Sequence, residues 1–290
     1  MILFPDEVTL QGEEYADEVL AMKFLADLTA YIEQTQEIYK PSGSISPSGL
    51  SCNRKVWFDR NIETISEGKP HTIIGITETG SFRHDKIQET LVEMTKAGSE
   101  WQYLDVEEYL NTVGNPQNLI ILEKKGHETK LRNDKLDMNF LCDGILKYKG
   151  MYYILEIKTE STFKFRYRND IAFEHKNQAR AYAYNLGIDK VIFLYENRDF
   201  NDKKTFILSP TKEELDVWLE MIMGILNSKE PPELMPEFLE ELAYAVETKK
   251  VPQKAMRELN WQERFKQCEY CPFQAQCIAH EVQKDEEKRE

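Results

Sequence analysis

The chain has 290 residues, 41% of them hydrophobic and 11% aromatic, which supports a substantial core and excludes global disorder. Its net charge of −14 argues against a uniformly nucleic-acid-binding surface, because phosphate binding rests on Lys and Arg. No run of about 18 apolar residues is present to span a membrane, and the N-terminus lacks the basic start and long apolar stretch of a signal peptide, so a cytoplasmic protein is expected.

Acid concentrates in residues 1–40, 229–247 and 281–290. Between 164 and 180 the balance reverses, with Lys164, Arg166, Arg168, Lys176 and Arg180 against Asp170 and Glu174. A local basic stripe of this kind suits contact with DNA on an otherwise acidic protein.

In chain order, residues 14–39 place Tyr15, Val19, Met22, Leu25, Leu28 and Ile32 at helical steps. Ser46-Pro47-Ser48 opens a second helix carrying Cys52, Arg54, Lys55, Trp57 and Phe58. A third helix is expected from about Thr79-Gly80 to Gly98, with His84, Ile87, Gln88 and Leu91 along one face. The period then changes to that of strands: 118–123, 137–147 and 151–158, the last two joined at Tyr148-Lys149-Gly150 as a hairpin. A helix over 170–186 ends at Gly187, strands follow at 190–196 and 203–208, and Thr211 with Glu214 forms a capping box for a helix over 212–228. Pro231-Pro232 breaks the chain before a polar helical remainder. The expected architecture is an α/β domain with helical additions: an N-terminal helical region at 1–75, a core at 76–210 and a C-terminal helical region at 211–290.

On the strand around Glu156, side chains two apart share a face, so Ile154, Glu156 and Lys158 point together. A hairpin partner brings Asp143 beside Glu156, although Asp134 and Asp137 lie close in sequence. Two converging carboxylates bind a hard divalent cation, and a lysine beside them orients water and offsets phosphate charge. The plain alternative is a cross-strand ion pair on a solvated sheet face. His84 lies on the inward edge of its helix and is a further candidate ligand. Gln178 and Tyr182, four apart on one helix and flanked by Lys176 and Arg180, suit contacts to a phosphate backbone.

The order His84, Asp143, Glu156-Ile157-Lys158, Gln178-Ala179-Arg180-Ala181-Tyr182, with Gly80-Ser81-Phe82-Arg83-His84 as its first motif, resembles the RecB-like exonuclease branch of the PD-(D/E)xK nucleases. The matched motifs cover 80–182. The resemblance implies a nuclease core with a mixed central sheet flanked by helices. It implies that His84, Asp143, Glu156 and the Ile157 carbonyl hold Mg²⁺ or Mn²⁺, that Lys158 assists water activation, and that Gln178 and Tyr182 organise Lys158 and the DNA strand. It also implies DNA as substrate, a bacterial or bacteriophage-infected host cell, and a partner protein in recombination or repair.

Of the five cysteines, Cys268, Cys271 and Cys277 form a C-x₂-C-x₅-C run, a spacing that in a cytosolic chain points to metal rather than disulfides. Three ligands leave the site one short. Cys142 precedes Asp143 on its strand and is expected in the core, which leaves Cys52 as the fourth. One distant cysteine followed by this run is similar to the iron–sulphur subgroup of the same branch, which includes AddB-type subunits and CRISPR-adaptation nucleases. The resemblance favours [4Fe–4S]; four thiolates also suit Zn²⁺. A site tying 52 to 268 removes unfolded-chain entropy worth roughly 5 kcal/mol by analogy with a disulfide. The alternative to a nuclease is a zinc- or Fe–S-stapled DNA-binding or assembly protein with a vestigial catalytic site.

Overall fold

The computed structural model describes residues 17–35, 43–62, 71–233, 271–273, 276–277, 279–280 and 283–284. Helix α1 (Asp17–Thr35), a 3₁₀ turn (Pro47–Gly49), α2 (Asn53–Asn61) and α3 (His71–Lys96) precede β1 (Trp101–Leu104) and α4 (Val106–Val113). Strands β2 (Ile120–Lys125), β3 (Glu128–Asn133) and β4 (Met138–Cys142) make a small antiparallel sheet in that order. Then come β5 (Gly144–Tyr148), β6 (Met151–Glu160), α5 (Thr162–Tyr167), α6 (Phe173–Leu186), β7 (Val191–Asn197), β8 (Lys203–Leu208) and α7 (Lys212–Asn227). The larger sheet runs β1-β5-β6-β7-β8, with only β6 and β7 parallel, joined by the crossover through α5 and α6.

Both faces of this sheet are covered, which is why its central strands read as nearly continuous apolar runs. Ile154, Val191, Phe193 and Tyr195 pack into the main core with Ala179, Ala181 and Tyr182 of α6 and Trp218 and Ile222 of α7. Leu155, Ile157 and Ile192 turn the other way, onto Ile87, Leu91 and Val92 of α3. Among these, the fully buried aliphatic side chains Ile154, Val191, Leu155, Ile157 and Ile222 each contribute about 1.5–3 kcal/mol. Helix ends follow their local chemistry: Thr211 and Glu214 form the expected capping box, Asp105 caps α4, Ser161 caps α5, and α6 stops at Gly187 with φ +67°.

Several sequence-based boundaries need correction. The expected strand over 137–147 is two strands in two sheets, β4 and β5, with Asp143 at the break between them. The third helix begins at His71, eight residues before the Thr79-Gly80 pair expected as its start. Ser46-Pro47 opens only a 3₁₀ turn, and Cys52 stands at the N-cap of α2. Strands β1 and β3 and helices α4 and α5 were not anticipated; β3 escapes because its buried set, Thr129, Leu131 and Asn133, is mostly polar. Residues 14–16 and 36–39 of the expected first helix, the polar stretch 234–270 and Cys268 lie outside the described residues.

The break at Asp143 depends on Gly144. Its φ is +146°, and a Cβ there would lie 2.3 Å from the Tyr103 ring. Gly144→Ala is expected to cost roughly 2–5 kcal/mol in urea unfolding, from backbone strain plus overpacking. Tyr103→Ala alone costs a few kcal/mol through its cavity, but the double variant should lose clearly less than the sum of the two. Additive losses would show that the two positions do not compete for space.

Candidate active site

Glu156 stands on the face of β6 turned toward α6 and is 3% exposed. A carboxylate so buried carries a desolvation penalty of several kcal/mol unless charge and hydrogen bonds meet it. The Gln178 amide donates to Oε1 at 2.7 Å, and the Lys158 ammonium lies 2.6 Å from the same oxygen. Oε2 is buried and receives no hydrogen bond. One turn along α6, the Tyr182 hydroxyl lies 2.8 Å from the Gln178 amide and donates to the Leu141 carbonyl at 2.6 Å. Gln178 and Tyr182 therefore fix the rotamer of Glu156 from inside the protein.

Asp143 follows on from the β5–β6 pairing, where Gly144 faces Leu155 and the next position out faces Glu156. Its Oδ2 accepts the Ile157 backbone N–H at 2.5 Å. Its Oδ1 lies 3.7 Å from His84 Nδ1. Its backbone carbonyl accepts from the Gln88 amide and the Tyr103 hydroxyl, each at 2.7 Å. His84 and Gln88 are one turn apart on α3, so one helix face serves both the carboxylate and the carbonyl of Asp143. At Gly80 this helix lies against Thr159 at the end of β6, and Arg83 pairs with Glu196 on β7.

The electrostatics reflect dense acid in a dry place. Burial pushes Glu156 up to about 7, with Asp143 adding to the rise and the Lys158 charge opposing it. Burial pulls His84 down, yet the nearby Asp143 carboxylate outweighs it and the imidazole is raised overall. Lys158 is likewise pulled down by burial but held up, on balance, by Glu156 and Asp143. A divalent cation is the natural counter-charge for such a set.

One residue passed over in the sequence joins this group. Glu128, the first residue of β3, places a carboxylate oxygen with ligand atoms of His84 and Asp143 so that all lie within 4.8 Å of one another. The signal available was Gly126 between two short runs, a hairpin that the polar composition of β3 concealed.

The structure brings His84, Asp143, Glu156, Lys158, Gln178 and Tyr182 together. Lys176 and Arg180 lie on the other side of α6, where Lys176 pairs with Asp170 at 2.9 Å and Arg180 with Glu214 at 2.9 Å. Arg168 is 2% exposed and pairs with Glu160, so it is a structural cation rather than part of a basic surface stripe. Arg166 is exposed on α5 beside Phe163 and Tyr167.

Three of the cysteines expected to bind metal lie near one another. Cys52 at the start of α2 lies near Cys271 and Cys277. Burial raises the Cys52 thiol, the Arg54 and Lys55 amides oppose it, and Cys277 adds to the rise. Burial also raises Cys271, with the neighbouring Cys52 and Cys277 adding to it and Lys55 opposing. The Arg54 guanidinium, 1% exposed, reaches Cys277 Sγ at 3.4 Å. Cys142 is fully buried in the main core, away from this group, as its strand position led us to expect.

No protein-family model and no curated protein matches the sequence. Among solved structures, the chain is similar to SSO0001 (12% identity, 88% of this chain and 95% of that one, TM-score 0.41). It is also similar to LHK-Exo in complex with dAMP (12%, 77% and 97%, TM-score 0.38) and to the alkaline exonuclease LHK-Exo from Laribacter hongkongensis (11%, 76% and 98%, TM-score 0.38). Likeness at this level leaves the chemistry of the site to be read from its own side chains.

Protonation gives a direct check on the site. Between the ordinary glutamate range and about 7, folded protein without cation retains a proton on Glu156 that the unfolded chain has released. Its stability therefore falls as pH rises through that window. Cation binding needs the carboxylate and a neutral His84, so Mn²⁺ should raise the thermal midpoint more at pH 8 than at pH 6. An equal rise at both pH values would remove Glu156 and His84 from the cation site.

Proposed function

We propose that the chain is a divalent-metal-dependent DNA nuclease of the PD-(D/E)xK type, with exonuclease action implied by the motif resemblance. The observation that carries this reading is the convergence of His84, Asp143, Glu156 and Lys158 at the point where the chain passes from β4 to β5. A charged strand face of ordinary structural origin would be solvated, whereas here Glu156 is buried with one oxygen left without a donor.

His84, Asp143, Glu156 and the Ile157 carbonyl would hold the ion, and Mg²⁺ or Mn²⁺ supplies a lowered water pKa and charge neutralisation at phosphate. The chain's own part is positional. Gln178 and Lys158 occupy Glu156 Oε1 and leave Oε2 for the cation. The Ile157 N–H holds Asp143 Oδ2. Lys158 keeps a positive charge beside the carboxylates, suited to orienting water and meeting a phosphate oxygen. Exposed Arg166 is a candidate for backbone contact, and the expectation that Lys176 and Arg180 contact DNA becomes a proposal for a strand running over α6.

Cys52, Cys271, Cys277 and Cys268 would hold a [4Fe–4S] cluster as a structural clasp between chain ends. Three thiols near one another, with buried Arg54 against Cys277 and Lys55 close to Cys271, suit an anionic metal–thiolate assembly. Such a cluster supplies cross-linking, and catalysis stays with the carboxylates.

Purified chain with Mn²⁺ should degrade labelled linear DNA and spare closed circles. Asp143→Ala, Glu156→Ala and Lys158→Ala should each lower the rate by at least about 10²–10³-fold while remaining folded. Lys158→Ala should still bind Mn²⁺, and excess Mn²⁺ should restore part of the activity of His84→Ala. Cleavage of linear DNA by any of the first three at wild-type rates would overturn the assignment; an inactive, metal-replete wild type would favour an assembly role.

Anaerobically purified protein should be brown and contain iron. Replacing Cys52, Cys268, Cys271 or Cys277 by Ala should bleach it, and Cys142→Ala should leave the colour. Stoichiometric zinc in a colourless protein would replace the iron–sulphur assignment and leave the nuclease site untouched.

A further inference from the structure

Helix α5 carries chemistry that the carboxylate centre does not use. It begins two residues after β6 ends, so Phe163 lies no more than about 18 Å of chain beyond Lys158. Ligands of open α/β sheets bind beyond the carboxyl ends of the parallel strands. Helix α5 and the β7–β8 turn stand there, past the ends of β6 and β7. Burial holds the His175 imidazole, in the first turn of α6, well below its usual range, and the Lys158, Arg168 and Lys164 charges add to the effect. Lys164 of α5 and Lys158 thus lie near a common neighbour.

The helix is pinned at both ends. Asp199 in the β7–β8 turn accepts from the Thr162 hydroxyl at 2.6 Å and from the Thr162 amide at 3.0 Å. At the other end the Lys204 ammonium donates to the Phe165 and Arg168 carbonyls at 2.6 and 3.0 Å and lies over the Phe165 ring. Of the three aromatic residues of α5, only Phe165 turns inward. Phe163 and Tyr167, four apart, stand side by side with ring centroids 5.2 Å apart and are 50% and 39% exposed. Arg166, three residues after Phe163, is exposed with them and has no carboxylate partner among the described residues. Phe200, next in chain to Asp199, is 70% exposed.

Grouped apolar surface of this kind marks an interaction site, and its charge selects the occupant. Residues 162–170 and 198–204 hold six bases against Asp170, Asp199 and Asp202, in a chain whose net charge is −14. A purely apolar partner would leave the Arg166 guanidinium unanswered. An unpaired nucleic-acid strand offers it a phosphate and offers the rings a π-face at every base, whereas duplex bases are already stacked on one another. We infer that Phe163, Arg166 and Tyr167 form a stacking platform for unpaired nucleotides of a DNA strand that reaches the carboxylate centre, with Phe200 at its border. The inference deepens the nuclease reading and rests on it for the presence of a strand, while binding to the platform is measured apart from cleavage.

The test is binding of labelled oligothymidylate to the full chain in Ca²⁺, with the oligonucleotide shown intact on a gel and unfolding midpoints as a fold control. Phe163→Ala and Tyr167→Ala should each weaken binding about tenfold, and Tyr167→Phe, which keeps the ring, should retain it. Arg166→Ala should reduce the salt slope by roughly 0.7, the share of one phosphate on a single strand. Blunt duplex should bind the ring variants as it binds wild type. Unchanged oligothymidylate affinity in both ring variants, or an equal loss on duplex, would overturn the platform. Tighter binding of oligouridylate would overturn the assignment to DNA, and self-association abolished by the same variants, without strand binding, would give the face to a second copy of the chain instead. Strand binding that the ring variants lose, in a wild type that cleaves nothing, would uphold the inference and remove the nuclease reading; cleavage by a wild type whose ring variants bind normally would do the reverse.

Discussion

Between Cys142 and Gly144 the chain leaves one sheet and enters another, and the residue at that crossing has to satisfy both. Asp143 does so with every polar atom that an acceptor side chain and carbonyl possess: its carbonyl receives Gln88 and Tyr103, and its carboxylate receives the Ile157 amide and faces His84. A strand that continued straight would have hidden this carboxylate in a regular ladder. The break sets it at the junction of both sheets and α3. Gly144 supplies the backbone conformation that makes the junction, and the space it leaves is filled by Tyr103.

From that junction the rest of the site follows by packing. The face of β6 that turns to α6 carries acid and base into the interior, and α6 answers with an amide and a phenol one turn apart instead of apolar side chains. The opposite face, Leu155 and Ile157, is ordinary core beneath α3. One strand thus supplies hydrophobic stability on one side and a charged site on the other, and the two helices that cover it are specialised accordingly.

Much of this was legible in the sequence because side chains two apart on β6 share a face and because Gln178 and Tyr182 sit at a helical step. Cys142 was placed in the core by the same alternation. Other features were not legible, for identifiable reasons. The switch of sheets at Asp143 leaves a continuous strand-like pattern in sequence, and only the glycine after it hints at the break. Glu128 belongs to a strand whose inward residues are mostly polar, so periodicity gave no warning. Arg168 reads as a surface base until its partner Glu160, eight residues away, closes on it inside the core. Lys176 and Arg180 are neighbours of Gln178 in sequence but, two positions from it along a helix, point away from it.

The buried Arg54 carries a consequence for the cysteines beside it. A guanidinium keeps its proton at every pH at which a protein stays folded. Arg54 therefore holds a permanent positive charge against Cys277 Sγ, and Lys55 is close to Cys271. Any metal proposed for these thiols would be selected by total charge as well as by geometry: an assembly of thiolates around metal, negative overall, would be drawn toward the guanidinium, while a bare cation among protonated thiols would be repelled.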